Sequence, residues 1–534
     1  MQKNVEDIFL LVSVFITGSA VLIVEVVAIR ILSPYYGNTI YTASSVIGTV
    51  LAALSLGYYF GGVLSDKYPY HKVFYSIIFI SGLLVIFVHL LNVSMLPVFS
   101  LFFSIKTGPL ISSLCIFFVP AFFLGTLSPF AIKLHRVKSA KSGVALEAQQ
   151  FNVVNKKEGL PLQAGDQIGR RSGEVFFWST LGSIAGSLAS GFILIPFLGI
   201  HAIIIGTGLF LMLWGFCGFA FFRPKKTTII IMALFLIYAI FLAWFYLPQK
   251  PVGVLYQKDG VYEKIRISEG DWKGREARFL FQDMSYSAAM YLDSDELVYD
   301  YTKYYVLYKL FNPEPKNALV LGGGAYSIPK AFLDEPSNMQ VDVVEIEPEL
   351  LELSKIYFRF QDNPRMQNHI EDGRRFLTLN PQKYDIIFSD VYYSLFSVPM
   401  HFTTKEFFDL AKSRLQQKGV FIGNFGGSLY GDQASLVVSE MKTFKESFPN
   451  SYFFAVNSPD FPKIQNVIFL GINDEKKLDF TAKEIVKNSN EIINMLPQKN
   501  IDLAKLDFSK AQKLTDNFAP IEHLVGKVIS GWYQ

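Results

Sequence analysis

Three consecutive glycines, Gly322, Gly323 and Gly324, end the apolar run NALVL, and the acid Glu345 ends the next apolar run 21 residues on (345 − 324). Glycines there make a turn without side chains, so a ligand can approach the backbone where the following helix begins. A carboxylate closing the second strand can accept both hydroxyls of a ribose. Two more acids follow at the ends of predicted elements: Asp372, next to Gly373, in EDGRRFL, and Asp390 in YDIIFSD. Asp372 falls where an acid can accept from an adenine amino group. Asp390 closes a strand whose C-terminal end faces the same cleft. The chemistry implied is nucleoside holding, with a carboxylate placed beside the nucleoside. Glycine turns also occur in α/β domains that bind nothing, and it is the spacing to Glu345 that points to a ligand. A nicotinamide dinucleotide is disfavoured, because Ser327 stands where the fingerprint wants its third glycine. The loop also lacks the Lys-Ser/Thr pair of a triphosphate site.

The elements that must position these residues follow from the hydrophobic pattern. Strands are predicted at 317–322, 341–345, 384–389 and 419–424, alternating with helices at 326–335, 348–358 and 403–416. SYFFAVNS and NVIFLGIN supply the last strands. Ahead of them, residues 252–292 alternate as a small antiparallel sheet with a turn near Gly270–Gly274. Residues 293–311 read as an amphipathic, capped helix. The expected soluble half is therefore a Rossmann-like α/β domain of the class I methyltransferase type over 313–534. A small β-subdomain and connecting helix precede it at 251–312.

The first 250 residues belong to a different solvent. The chain of 534 residues is 51% hydrophobic, and the excess lies in this half. Apolar runs long enough to span a bilayer appear at about 8–32, 41–64, 73–94, 108–132, 176–198, 200–222 and 227–247. The run 95–105 reads as a re-entrant or interfacial piece, and 134–173 as a long polar loop. The first run is too long for a cleavable signal. Lys67, Lys72, the basic residues of 133–171, Arg223, Lys225 and Lys226 all fall on one side, which places the N-terminus in the cytoplasm. Seven spans starting inside would end outside. The nucleoside-site acids argue instead for an even number and a cytoplasmic soluble domain in an inner-membrane protein. Gly57 and Gly61, and Gly182, Gly186 and Ser190, have the spacing of close helix contacts. Glu25, within the first run, is either paired with a neighbouring helix or part of a transport path. The net charge of +3 implies no nucleic-acid partner, and Cys115 and Cys217, both inside apolar runs, imply no disulfide framework.

In order, DELVYDYTKYY, VLGGGAYS, VVEIEPE, EDGRRFL, YDIIFSD and HFTTKEFF resemble the polyamine aminopropyltransferases, the spermidine synthase family, over about residues 252–470. FITGSAVLIVEVVAIRILSPYYG, GRRSGEVFFWSTLGSIAGSLASGFILIP and LTDNFAPIEH resemble the membrane-fused branch of that family. The resemblance implies transfer of an aminopropyl or related group to a small amine such as putrescine. The donor would be S-adenosylmethionine or its decarboxylated form, with no metal, and a homodimer is compatible with it. It assigns the ribose to Glu345, the adenine to Asp372 and acceptor deprotonation to Asp390. Tyr299 would line the acceptor pocket, and Gln257 would contact donor or acceptor. Departures from the family pattern fall on the reacting end. Ala325 stands where the family has an acid in its glycine loop, Asp300 where it has a His, and Tyr393 where it has the second acid of the catalytic loop. Tyr299, Tyr392 and Tyr393 would then form an aromatic wall around a cationic acceptor. Three functions stay open: a membrane-tethered aminopropyltransferase, another adenosylmethionine-dependent transferase fed from the bilayer, and a non-catalytic nucleoside or polyamine sensor coupled to a transporter-like bundle.

Overall fold

The computed structural model describes residues 2–135, 168–222, 225–245, 253–336, 338–391 and 398–530. The chain divides into two units, Met1–Gln249 and Lys250–Gln534.

The first unit is helical. Among the described residues, six helices are long and apolar enough to cross a membrane, by length and composition. They are α1 (Gln2–Tyr36), α2 (Ile40–Lys67), α3 (His71–Phe102), α4 (Gly108–His135), α5 (Gly169–Leu198) and α6 (Ile200–Phe221). A seventh, α7 (Lys226–Phe245), carries a shorter apolar stretch over Lys226–Phe241. The segment expected to be re-entrant at 95–105 mostly continues α3, which runs to Phe102 with Pro97 inside it. The small residues act as contact points. A Cβ on Gly182 would lie 2.0 Å from the Phe15 carbonyl oxygen, and one on Gly57 would lie 2.4 Å from that of Phe122. Glycine thus lets α5 approach α1, and α2 approach α4, backbone to backbone. Ser19 Oγ donates to the Gly182 carbonyl at 2.8 Å across the first pair.

The second unit holds two sheets. The small one is an antiparallel meander of β1 (Val254–Asp259), β2 (Lys264–Trp272), β3 (Arg275–Gln282) and β4 (Ser285–Tyr291). Its β2–β3 turn is Lys273–Gly274, both with positive φ, which suits the twist of a two-residue hairpin. Gly270 lies inside β2, opposite Ala277. The connecting helix is shorter than the sequence pattern predicts: a 3₁₀ helix covers only Asp300–Leu310. Upstream, Leu297 bridges Met290, and Asp293 and Glu296 are bound by Arg275, so this stretch is tied to the small sheet.

The large sheet has seven strands in the order β10-β11-β9-β8-β5-β6-β7. These are β5 (Asn317–Leu321), β6 (Gln340–Glu345), β7 (Met366–Ile370), β8 (Tyr384–Ser389), β9 (Leu415–Gly427), β10 (Ser451–Ala455) and β11 (Gln465–Ile472). The strands β5 to β9 pair in parallel, whereas β11 lies antiparallel between β9 and β10. This is the Rossmann-like, methyltransferase-type topology expected. Helices α8 (Ser327–Asp334), α9 (Leu350–Tyr357), α10 (Gly373–Leu379), α11 (Lys405–Ser413) and α12 (Ser435–Ser447) connect the strands. Val320, Val343, Phe388 and Ile422 are fully buried on one face of the sheet, and Leu319, Ile387 and Phe421 on the other. A parallel strand covered on both sides needs such a continuous apolar run. The strand order reverses between β6 and β8, on either side of β5, and a crevice opens at the C-terminal ends of these strands.

Candidate functional site

The crevice is a cavity of about 710 Å³. Its floor is the glycine turn after β5. Gly322 has φ +89, and a Cβ on it would lie 2.3 Å from the Asp390 carbonyl oxygen. Only glycine fits where the turns after β5 and β8 meet. Gly323 and Gly324 donate their N–H groups to Glu345 Oε2 at 2.8 and 3.2 Å, and Glu347 N–H donates to Oε1 at 2.8 Å. Burial pushes the Glu345 carboxyl up, against the pull of these backbone bonds. In this structure the acid holds the loop as well as facing the cavity.

Asp372 caps α10, its Oδ1 accepting from Arg375 N–H at 2.8 Å, and its Oδ2 lies 3.0 Å from His401 Nε2. Burial raises this carboxyl, but the bonds from His401 and the backbone outweigh it and hold it below the ordinary aspartate range. His401 itself belongs to HFTTKEFF.

Asp390 sits at the end of β8, its N–H bonded to the Leu321 carbonyl at 2.9 Å. Its Oδ1 accepts from Asn424 Nδ2 at 2.9 Å, and Asn424 Oδ1 accepts from Asn466 Nδ2 at 2.9 Å. Burial pushes the Asp390 carboxyl up, partly offset by hydrogen bonds from Asn424 and Tyr301. The result is a carboxylate more basic than a free one, oriented by a chain of amides. Asn424 and Asn466 both line the cavity and escaped the sequence reading. Their signal was a polar residue inside otherwise buried runs, VFIGNFGG and QNVIFLGI.

Tyr299 lines the same cavity. Its ring meets Trp272 edge-on at 5.4 Å and stacks on Tyr301 at 6.0 Å. Its hydroxyl has no partner among the described residues. Asp300 also lines the cavity, but it is exposed and faces Lys273 at 3.2 Å and Lys303 at 3.4 Å. The cavity thus brings together Gly322, Gly323, Gly324, Glu345, Asp372, Gly373, Asp390, Tyr299 and Asp300. Gln257 is a correction. It lies on β1, at the edge of the small sheet farthest from β4, and is not among the lining residues. Tyr392 and Tyr393 lie outside the described residues.

Residues 306–482 match the spermine/spermidine synthase domain. The polyamine aminopropyltransferase of Vibrio vulnificus (strain CMCP6) is 26% identical over 216 residues, 40% of this chain and 70% of that protein. The Bacillus subtilis (strain 168) polyamine aminopropyltransferase is 24% identical over 238 residues, 42% of this chain and 85% of its own length. Among solved structures, a probable spermidine synthase from Corynebacterium glutamicum ATCC 13032 aligns with TM-score 0.42 and 22% identity, over 51% of this chain and 99% of that one. The C-terminal unit thus resembles the spermine/spermidine synthase domain over residues 306–482 and the polyamine aminopropyltransferases, and it follows six long apolar helices among the described residues.

Proposed function

We propose that this spermidine synthase-family chain is a membrane-anchored transferase. It moves an aminopropyl or related group from an adenosylmethionine-type donor to a small amine such as putrescine. The observation that carries the reading is the placement of Asp390: across the glycine turn from Glu345, at a strand's C-terminal end, held by Asn424. The donor's ribose lies towards Glu345 and its adenine towards Asp372. The acceptor enters along Tyr299, Tyr301 and Trp272, whose ring faces suit a cationic amine.

The reaction needs a free lone pair on the attacking nitrogen. Asp390 accepts a proton from the ammonium, the nitrogen attacks the carbon next to the sulfonium, and the C–S bond breaks to leave a neutral thioether nucleoside. The C–N bond formed carries the group to the amine. Positioning and a base together account for the rate, without a covalent enzyme intermediate. Asp300 belongs to the acceptor entrance, where its two lysines attenuate its charge. The soluble unit lies in the cytoplasm, where such donors are made.

The test is transfer by the purified full chain in detergent. Decarboxylated S-adenosylmethionine or its parent is incubated with putrescine, cadaverine, diaminopropane or spermidine, and release of methylthioadenosine or the corresponding thioether is followed. Binding of methylthioadenosine without transfer to any amine would replace this reading with the sensor.

A further inference from the structure

Six acids and one lysine line the cavity among the described residues. Four of the acids stand at the end read above as the nucleoside's. Glu345 accepts backbone N–H groups from Gly323, Gly324, Ile346 and Glu347. Asp372 is held by His401 and the first turn of α10, and Glu371 by Arg375. Glu263 faces Glu345 and Glu347. The fifth, Asp390, is the base.

Asp300 is the acid left at the acceptor entrance, and it is already paired twice. Its Oδ2 lies 3.2 Å from Lys273 Nζ and its Oδ1 3.4 Å from Lys303 Nζ. Lys273 itself lines the cavity, so this wall carries no net negative charge. Glu296, the next acid upstream, is shared between Arg275 and Lys303. Residues 392–397, which follow Asp390 in the chain, read YYSLFS and bring no charge.

The rest of the acceptor end is aromatic and apolar. Beside Trp272 and Tyr299, Met284 on the β3–β4 turn and Tyr286 on β4 line the cavity and stay more than half exposed, at 54% and 59%. A methionine there adapts to tails of different shape.

A diamine would bring two charges to this end. Its reacting ammonium gives a proton to Asp390. Its second ammonium stays charged, and a charge taken out of water needs a counter-charge. The Tyr299 hydroxyl can accept one of its hydrogen bonds but cannot neutralise it. The Trp272 indole N–H can only donate. Lys273 Nζ already stands over the Trp272 ring, 5.9 Å from its centroid, where a substrate cation would sit. An uncharged tail meets none of these costs and gains from burial against the same side chains.

We propose that the acceptor is a primary monoamine with an apolar alkyl or aryl tail rather than a diamine, because Asp300 is neutralised by its two lysines. The amino group lies at Asp390 and the tail against Trp272, Tyr299 and Met284. This rests on the transferase reading above and narrows its acceptor. One proton of the ammonium passes to Asp390, the nitrogen forms the C–N bond, and the C–S bond breaks with its electron pair left on sulfur. The products are a secondary ammonium and a neutral thioether nucleoside.

The test uses the purified full chain in detergent, with decarboxylated S-adenosylmethionine and, separately, its parent as donor. Pentylamine, cadaverine and 5-aminopentanoate are compared as acceptors that differ only at the far end, and kcat/KM is taken from initial rates of thioether release. Pentylamine should exceed cadaverine by about tenfold or more. It should exceed butylamine by about fourfold, for one more buried methylene. 5-Aminopentanoate should also fall below pentylamine, because Lys273 is paired with Asp300. In Lys273→Gln, Asp300 keeps one lysine, and the pentylamine-to-cadaverine ratio should fall by about threefold. A ratio is not moved by a general loss of folded protein. Cadaverine or 5-aminopentanoate matching pentylamine overturns the proposal, and so does a ratio that Lys273→Gln leaves unchanged. Methylthioadenosine binding without transfer to any of these amines refutes the proposed function itself. Transfer that favours cadaverine keeps that function and removes only this inference.

Discussion

Asp390→Asn should separate catalysis from binding. In the native site Asp390 Oδ1 accepts from Asn424, which in turn accepts from Asn466, so the chain of amides has one polarity. An asparagine at 390 can keep its own Oδ1 on Asn424. Its new amide group then faces the Tyr301 hydroxyl, which donates to the native carboxylate and can turn to accept. No volume is lost and no hydrogen bond need be, so stability should change by less than about 1 kcal/mol. The charge and the base are gone, however, and a general base contributes about 10²- to 10⁴-fold. Turnover should fall within that range while methylthioadenosine affinity stays within a factor of about three. A pH profile gives a second readout. Burial raises the Asp390 carboxyl above its ordinary value, and the ionised form is the base. Native turnover should therefore fall as pH drops through this raised value, and the variant's residual rate should lack that limb. Initial rates of thioether release and calorimetry on the same preparation measure both. Turnover within tenfold of native, or nucleoside affinity falling in step with rate, would refute the base assignment.

Four other outcomes are expected. Gly322→Ala should destabilise the soluble unit by about 1–3 kcal/mol, because φ +89 is strained for alanine and its Cβ meets the Asp390 carbonyl at 2.3 Å; denaturant unfolding and loss of nucleoside binding report it. Glu440 on α12 is 1% exposed, neither carboxyl oxygen has a partner among the described residues, and burial pushes it well above the ordinary range. Its protonation supports the fold below the unfolded-state pKa, and that support is lost as pH rises through the folded value, so Glu440→Leu should raise the melting temperature more at alkaline than at acidic pH. Asp516→Ala should cost about 1 kcal/mol, discounted for solvent exposure, and should loosen the segment LTDNFAPIEH, since Asp516 receives both Arg374 and Thr404 Oγ1; limited proteolysis near the C-terminus checks it. A reporter fused after Gln534 should be active in the cytoplasm, and activity only on the other side would remove access to a cytosolic donor.

What could be read from the sequence divides along a physical line. Backbone periodicity and glycine turns are local, and so β5, β6 and β8, the turn at 322–324 and the three acids Glu345, Asp372 and Asp390 were all visible before any fold existed. Strand β7 was not, because MQNHI alternates no apolar face and sits at the sheet edge with half-exposed residues. The helix predicted from 293 starts only at 300, because capping signals cannot reveal that Arg275, 18 residues upstream of Asp293, will claim that acid instead. Gln257 and Glu263 make the same point within the site. Both belong to the β1–β2 hairpin region, six residues apart (263 − 257), and only the hydrogen bonds of the folded turn decide which of them reaches the cavity. Glu347 fixes that turn through Tyr262 N–H, a contact 85 residues apart in sequence. The cavity acids at strand ends, Glu345 and Asp390, are therefore legible from the sequence. The other polar groups of the cavity, Glu263, Asn424 and Asn466, are set by long-range contacts that single-sequence patterns do not carry.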